Sequence, residues 1–275
     1  AAAATAAAPP PPTAKNSTTP SGTKKIFRVS PSDFAFLYDS CKRCFYLKVH
    51  GLLYRPRAPF PPIFSTIDLA TKVAFAGLRS DDVFPDAADN IMPGIFLCEE
   101  EDAVVCSNPI SVPGHTHQLE LFGKLDAVIQ GDTGAFSVID FKTSKPSDRS
   151  SASYSRQLHA YAFALEDPSP ASELEKCRVD GLGLVIFEPK TMNITAAPAS
   201  STPTSPDQNR NAQPALAGLL TYKNIPRNDD DFMKFLGEVL DVLEKDEAPK
   251  MSETDRWPCD YCSWLKKAKK AGLEP

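Results

Sequence analysis

The sequence predicts an α/β fold, a mixed central sheet flanked by helices, in a single domain over residues 27–273. Three observations predict it. Two short apolar runs, Leu121–Ile129 and Ala135–Thr143, flank Gly131-Asp132-Thr133-Gly134, a turn-rich break of the kind that closes a β-hairpin. Gly181–Phe187 is a continuous apolar run of strand length and suits a central strand buried on both faces. Two helical stripes accompany them: Tyr154, Gln157, Leu158, Tyr161, Ala162 and Leu165, then Phe232, Phe235, Leu236, Val239, Leu240 and Leu243.

Residues 1–26 form an Ala/Pro/Ser/Thr-rich leader that cannot pack a core and is expected to be disordered. The first acidic residue is Asp33, and an acid-free, hydroxyl-rich leader also fits an organellar transit segment. The compartment is therefore read as intracellular, with chloroplast or mitochondrion open. The fold begins near Phe27. Ser30-Pro31-Ser32-Asp33 reads as a helix start, and Phe34, Leu37, Tyr38, Cys41 and Phe45 continue it as one apolar face. Arg55–Pro62 is a proline-rich linker, and Phe64–Leu78 reads as the next helix. A polar loop over residues 80–94 leads to strands at Ile95–Cys98 and Ala103–Cys106, around the acidic run Glu99–Asp102, expected to be a solvated turn. His115 and His117 flank a turn and read as surface residues. Residues 195–214 are of low complexity and are expected to be a disordered insertion before a strand at Leu216–Tyr222. Asn228-Asp229 caps the next helix, the one with the cleanest amphipathic pattern.

The bulk properties exclude several classes. The chain has 275 residues, 42 % of them hydrophobic, enough for a substantial core. A net charge of −5 gives no global pull towards nucleic acid, so any such contact must be local. No apolar run approaches the ~20 residues that span a bilayer. Seven cysteines in a chain this long do not make a disulfide scaffold; reduced thiols or metal ligands fit the odd count.

The chemistry concentrates around the hairpin. Asp126 lies between Leu125 and Ala127-Val128-Ile129, and Asp140 lies between Val138-Ile139 and Phe141. A carboxylate on a largely buried strand costs several kcal/mol, roughly, unless it is paired or metal-bound. Two on neighbouring strands repel, and a divalent cation relieves the repulsion; carboxylate oxygens and water suit Mg²⁺. Asp140 and Lys142 are two apart and share one strand face. A lysine there can orient water or stabilise charge on a phosphate. Gln157 and Tyr161 lie four apart, on one helix face.

Gly123-Lys124-Leu125-Asp126, then Asp140-Phe141-Lys142, then Gln157-Leu158-His159-Ala160-Tyr161 give G-x-x-D, D-x-K and Q-x-x-x-Y in order. This set resembles the PD-(D/E)XK nuclease superfamily and its RecB-type branch, and is similar to exonuclease V and the iron–sulfur nucleases of CRISPR adaptation. The resemblance implies a restriction-endonuclease-like fold and Mg²⁺- or Mn²⁺-dependent hydrolysis of DNA in repair or processing. It implies metal ligation by Asp126, Asp140 and the backbone carbonyl of Phe141, and activation of water by Lys142. Gln157 and Tyr161 would orient the substrate strand and the active-site loop. The branch usually adds a ligand from a preceding helix; Asp68 is the candidate by position, with His50 behind it. The partner implied is DNA with single-stranded regions, alongside an unspecified helicase or repair protein. The rival reading is a nucleic-acid-binding or scaffold module of the same fold that hydrolyses nothing.

Cys41 and Cys44 near one end, and Cys259 and Cys262 near the other, make two C-x-x-C pairs. Together they suggest one four-thiolate site that clasps the chain ends. The resemblance implies a 4Fe–4S cluster there, although that branch usually supplies one cysteine and then three, and carries proline where Lys42 stands. The two-and-two pattern keeps structural Zn²⁺ open. Lys266, Lys267, Lys269 and Lys270 follow, as a solvated helix end or a phosphate contact.

Overall fold

A computed structural model describes residues 24–52, 61–98, 103–145, 148–196, 212–250 and 259–272. The leader up to residue 23, most of the proline-rich linker, the acidic run and residues 197–211 lie outside the described residues.

The expected central sheet is present as two sheets, divided at Asp126. In the first, β5 (Gln118–Leu125) pairs in parallel with β1 (Ile26–Val29), and antiparallel with β3 (Ala103–Cys106) and the short β4 (Ile110–Ser111). The second has the order β2 (Gly94–Leu97), β6 (Ala127–Gly131), β7 (Phe136–Thr143), β8 (Val179–Ala196), β9 (Ala212–Asn224). Only the β7–β8 pairing is parallel in that sheet. The chain leaves β5 and enters β6 through Asp126 alone, so that residue sits at the seam. The β6–β7 hairpin turns where the glycines require it, with Gly134 at φ +81°.

Helices cover the second sheet on both faces. α5 (Asp148–Glu166) connects β7 to its parallel neighbour β8, while α3 (Pro62–Phe75) packs on the opposite side. β7 is therefore buried on both faces. Val138 joins the larger core with α5, β5 and α6 (Asp229–Leu243), and Ile139 and Phe141 join a smaller one with Phe75, Phe84 and Phe96. The α6 stripe is buried as its period requires, and Asn228 caps the helix by accepting from the Asp231 N–H at 3.1 Å.

Four expectations differ in detail. The opening helix is two helices, α1 (Pro31–Phe36) and α2 (Lys42–Val49), separated by a turn. Seven residues of straight helix rise about 10 Å, yet the Tyr38 and Phe45 rings lie 5.2 Å apart and Tyr38 also meets Phe235 at 5.2 Å. The bend gathers these rings into one core. Cys41 starts α2, its sulfur accepting from the Cys44 N–H at 3.4 Å. α3 begins at Pro62, where proline suits a first helical turn, and ends at Phe75 ahead of Gly77. The 80–94 segment contains a short α4 (Ser80–Val83) and a 3₁₀ turn, Pro85–Ala87. β8 and β9 run further into the low-complexity stretch than expected, with Thr195 opposite Gln213 and Ala196 opposite Ala212.

His115 and His117 are not idle surface residues. His115 Nδ1 lies 3.0 Å from Glu244 Oε2, and the Thr116 and His117 amides donate to Glu244 Oε1 at 3.0 and 2.9 Å. The carboxylate just beyond α6 thus anchors the loop that feeds β5.

Candidate active site and thiolate cluster

β7 places Asp140 and Lys142 on its α5-facing side. Asp140 is 3 % exposed. Lys142 Nζ forms an ion pair with its Oδ2 at 2.5 Å, and Gln157 Nε2, from α5, donates to its Oδ1 at 3.1 Å. The other side of the Gln157 amide, Oε1, is buried without a hydrogen-bond partner. The Lys142 ammonium lies 4.8 Å from the Tyr154 ring centre and 5.8 Å from that of Phe36. Burial by itself lowers the affinity of Lys142 for its proton; the facing Asp140 carboxylate outweighs this and raises it.

Asp126 reaches the same place from the seam. The β6–β7 register that pairs Ala127 with Ile139 brings Asp126 opposite Asp140 one step further on. Its Oδ2 accepts from the Phe141 N–H at 3.3 Å. It also borders an apolar pocket of about 320 Å³ walled by Leu97, Leu125, Val128, Phe136, Leu165 and Leu174. This setting explains its protonation: burial first, then the Asp140 charge, push the Asp126 carboxyl up to about 7, with Lys72 and Lys142 opposing.

Gly123 and Tyr161 hold that seam in place. A Cβ at Gly123 would lie 2.8 Å from Pro31 Cδ and 3.3 Å from the Tyr161 ring, so only glycine admits this approach. The Tyr161 hydroxyl, 4 % exposed as a residue, donates to the Lys124 carbonyl two residues before Asp126. The G-x-x-D and Q-x-x-x-Y signals thus meet physically: tyrosine packs on glycine, and glutamine holds the second aspartate.

One residue of the site was not singled out from the sequence. Lys72, on α3 and 3 % exposed, sits 2.9 Å from Asp68 Oδ2 and 3.5 Å from Asp126 Oδ1. In the sequence, Asp68 and Lys72 look like an ordinary i,i+4 surface pair, and nothing signals burial. Asp68 thus meets the site at Lys72, and its charge also acts on the Asp126 carboxyl. His50 is engaged elsewhere, with Nε2 3.0 Å from the Leu243 carbonyl and its ring stacked on Tyr46 at 3.9 Å.

The four cysteines converge as their pairing implied. Cys41 and Cys44 open α2, and Cys259 and Cys262 open α7 (Asp260–Lys270). Their sulfurs all lie within 4.8 Å of one another. Cys44 is 3.4 Å from Cys262 and 3.7 Å from Cys259, and Cys41 is 3.8 Å from Cys262. Such a group can hold a metal, and it joins α2 to α7. Lys267, Lys269 and Lys270 lie in the last turn of α7. Among the described residues, no helix is long and apolar enough to cross a membrane.

A family model described as "PD-(D/E)XK nuclease superfamily" matches residues 65–266. No curated protein matches the chain in sequence. A solved structure titled "Crystal structure of SSO0001" is similar at a TM-score of 0.39 and 16 % identity, over 82 % of this chain and 81 % of that one.

Proposed function

The chain belongs to the PD-(D/E)XK nuclease superfamily, and from that membership we propose that it is a metal-dependent deoxyribonuclease acting in DNA repair or processing. The observation that carries the reading is the convergence of Asp126, Asp140, Lys142 and Gln157 at one strand end. The site fits a divalent cation. Two carboxylates meet there, one of them reluctant to ionise beside the other, and a buried amide oxygen stands unsatisfied. Asp126, Asp140 and the Phe141 carbonyl would hold Mg²⁺ or Mn²⁺, which when bound supplies Lewis acidity towards the phosphate and an acidified water.

The protein's own groups do the rest. Lys142 carries a proton and a positive charge beside Asp140, where it can orient the water and offset charge developing on the phosphate. Gln157 fixes the Asp140 carboxylate. Tyr161 fixes the turn that presents Asp126. Phe36 is 56 % exposed beside Lys142 and offers a face for an unpaired base, which supports a substrate with single-stranded regions. The α7 lysines add a local basic surface on an otherwise acidic chain.

The test is cleavage of labelled single- and double-stranded DNA with Mg²⁺ or Mn²⁺, against Asp140→Ala and Lys142→Ala. Cutting that needs the metal and both side chains supports the nuclease. A folded wild type that cuts neither substrate overturns it in favour of the binding module.

We infer that the thiolate site holds one zinc ion. Four thiolates on one tetrahedral Zn²⁺, with Zn–S near 2.3 Å, stand about 3.8 Å apart. A four-iron cubane places each thiolate on a different iron and so holds them further apart than one ion does. Three spacings of 3.4, 3.7 and 3.8 Å, in a group no wider than 4.8 Å, lie nearer the single-ion value. Metal analysis of anaerobically purified protein decides it: one zinc per chain is expected, and a brown protein with iron and sulfide overturns the inference.

A further inference from the structure

One helix face serves three parts of the site. Tyr154, Gln157 and Tyr161 stand at i, i+3 and i+7 on α5. Gln157 holds Asp140, and Tyr161 holds the turn before Asp126. Tyr154 meets the remaining member, with Lys142 Nζ 4.8 Å from its ring centre. The Tyr154 ring is itself fixed. It is half-buried, packs against the larger core and stands edge to face with Phe36, 5.9 Å between centres at 69°.

Lys142 needs such a platform. Its charge sits at the end of a flexible four-carbon stem, and the side chain is only 17 % exposed. The ion pair with Asp140 Oδ2 attracts the ammonium, yet among the described residues no donor meets Oδ2 in hydrogen-bond geometry. Charge attraction alone has no direction, so another contact must set where the ammonium points. Asp140 is also a carboxylate that would serve the divalent ion, and a carboxylate shared in that way holds a lysine less firmly. The ring face carries negative quadrupole charge and no metal ligand, so its hold on the ammonium is not divided.

We propose that Tyr154 is a positioning residue for Lys142, its ring face keeping the ammonium in place while Asp140 serves the metal. The working part is the face of the ring, not the hydroxyl. An aromatic residue without the hydroxyl therefore suffices at this position, and an aliphatic one does not.

The inference rests on the nuclease reading and deepens it, and its test separates the two. Tyr154→Phe in the full chain is the reference for a series carrying one, two and three ring fluorines at position 154. Fluorine draws charge from the face with little change in volume. With Mg²⁺ and labelled DNA, kcat is expected to fall at each step, reaching about tenfold at three fluorines, with KM unchanged; Tyr154→Leu should match the last step. A second readout needs no turnover. Lysine labelled with ¹³C at Cε gives a Lys142 signal, assigned by its loss in Lys142→Met and shifted by the ring above it. That shift is expected to persist in saturating Mg²⁺ in the wild type and Tyr154→Phe, and to vanish in Tyr154→Leu. Circular dichroism and melting confirm folding, and if Tyr154→Leu does not fold the fluorinated series decides. A flat kcat across the series, or a wild-type Lys142 signal that loses its ring shift in Mg²⁺, overturns the proposal while the nuclease reading stands. A folded wild type that cuts no DNA overturns the nuclease reading and the positioning role with it.

Discussion

Asp126→Asn should make the metal-free protein more stable at neutral pH. Burial, then the Asp140 charge, raise the carboxyl from 3.8 to about 7, a difference of about three pH units. At about 1.4 kcal/mol per unit the ceiling is about 4 kcal/mol. The Asp126 side chain is 21 % exposed and Lys72 loses part of its compensation on substitution, so the expected net gain is about 1–3 kcal/mol. In a domain of this size that is about 2–10 °C in melting temperature. The direction with pH follows from linkage. Between about pH 4 and 7 the folded chain holds the Asp126 proton more tightly than the unfolded chain, so wild-type stability falls as pH rises through that window. Below it both states are protonated and the substitution gains nothing; above it the gain is complete. The groups facing this carboxyl are Asp140, Asp68, Lys72 and Lys142. The assay is calorimetry in buffers free of Mg²⁺ and Mn²⁺ at pH 5 and pH 8. The difference between variant and wild type should grow from the first to the second, and saturating Mg²⁺ should close it by stabilising only the wild type. A variant less stable than wild type at pH 8, or an equal gain at both pH values, would refute the reasoning.

Tyr161→Phe leaves the Lys124 carbonyl without its hydroxyl partner. It should cost about 1–2 kcal/mol in denaturant titration and lower kcat more than it raises KM. Unchanged stability would remove Tyr161 from the seam. Gly123→Ala pushes a methyl against Pro31 and Tyr161; overpacking of this kind costs about 1–3 kcal/mol. A neutral result in the same titration would show that the neighbours give way freely. Cys44→Ser replaces the buried thiol nearest both C-terminal cysteines. It should lower bound metal and melting temperature together, read by metal analysis and calorimetry, whereas full metal content would show that the site does not need it.

The sequence by itself determined what depends on local spacing. Alternation put Asp140 and Lys142 on one face of β7, and the Gly131–Gly134 break set the hairpin that brings Asp126 near Asp140. The helical period put Gln157 and Tyr161 on one face of α5, and the two C-x-x-C pairs did converge. The tertiary structure decided what depends on which element packs against which. A strand pattern does not show where a sheet divides, because Leu121–Ile129 is apolar on both sides of Asp126; the seam exists because β5 and β6 pair with different partners. The bend after α1 follows from ring packing against α6, absent from the local periodicity. Lys72 looks solvated at i,i+4 from Asp68. Only the docking of α3 on β7 buries it against Asp126, because desolvation is set by neighbours distant in the chain.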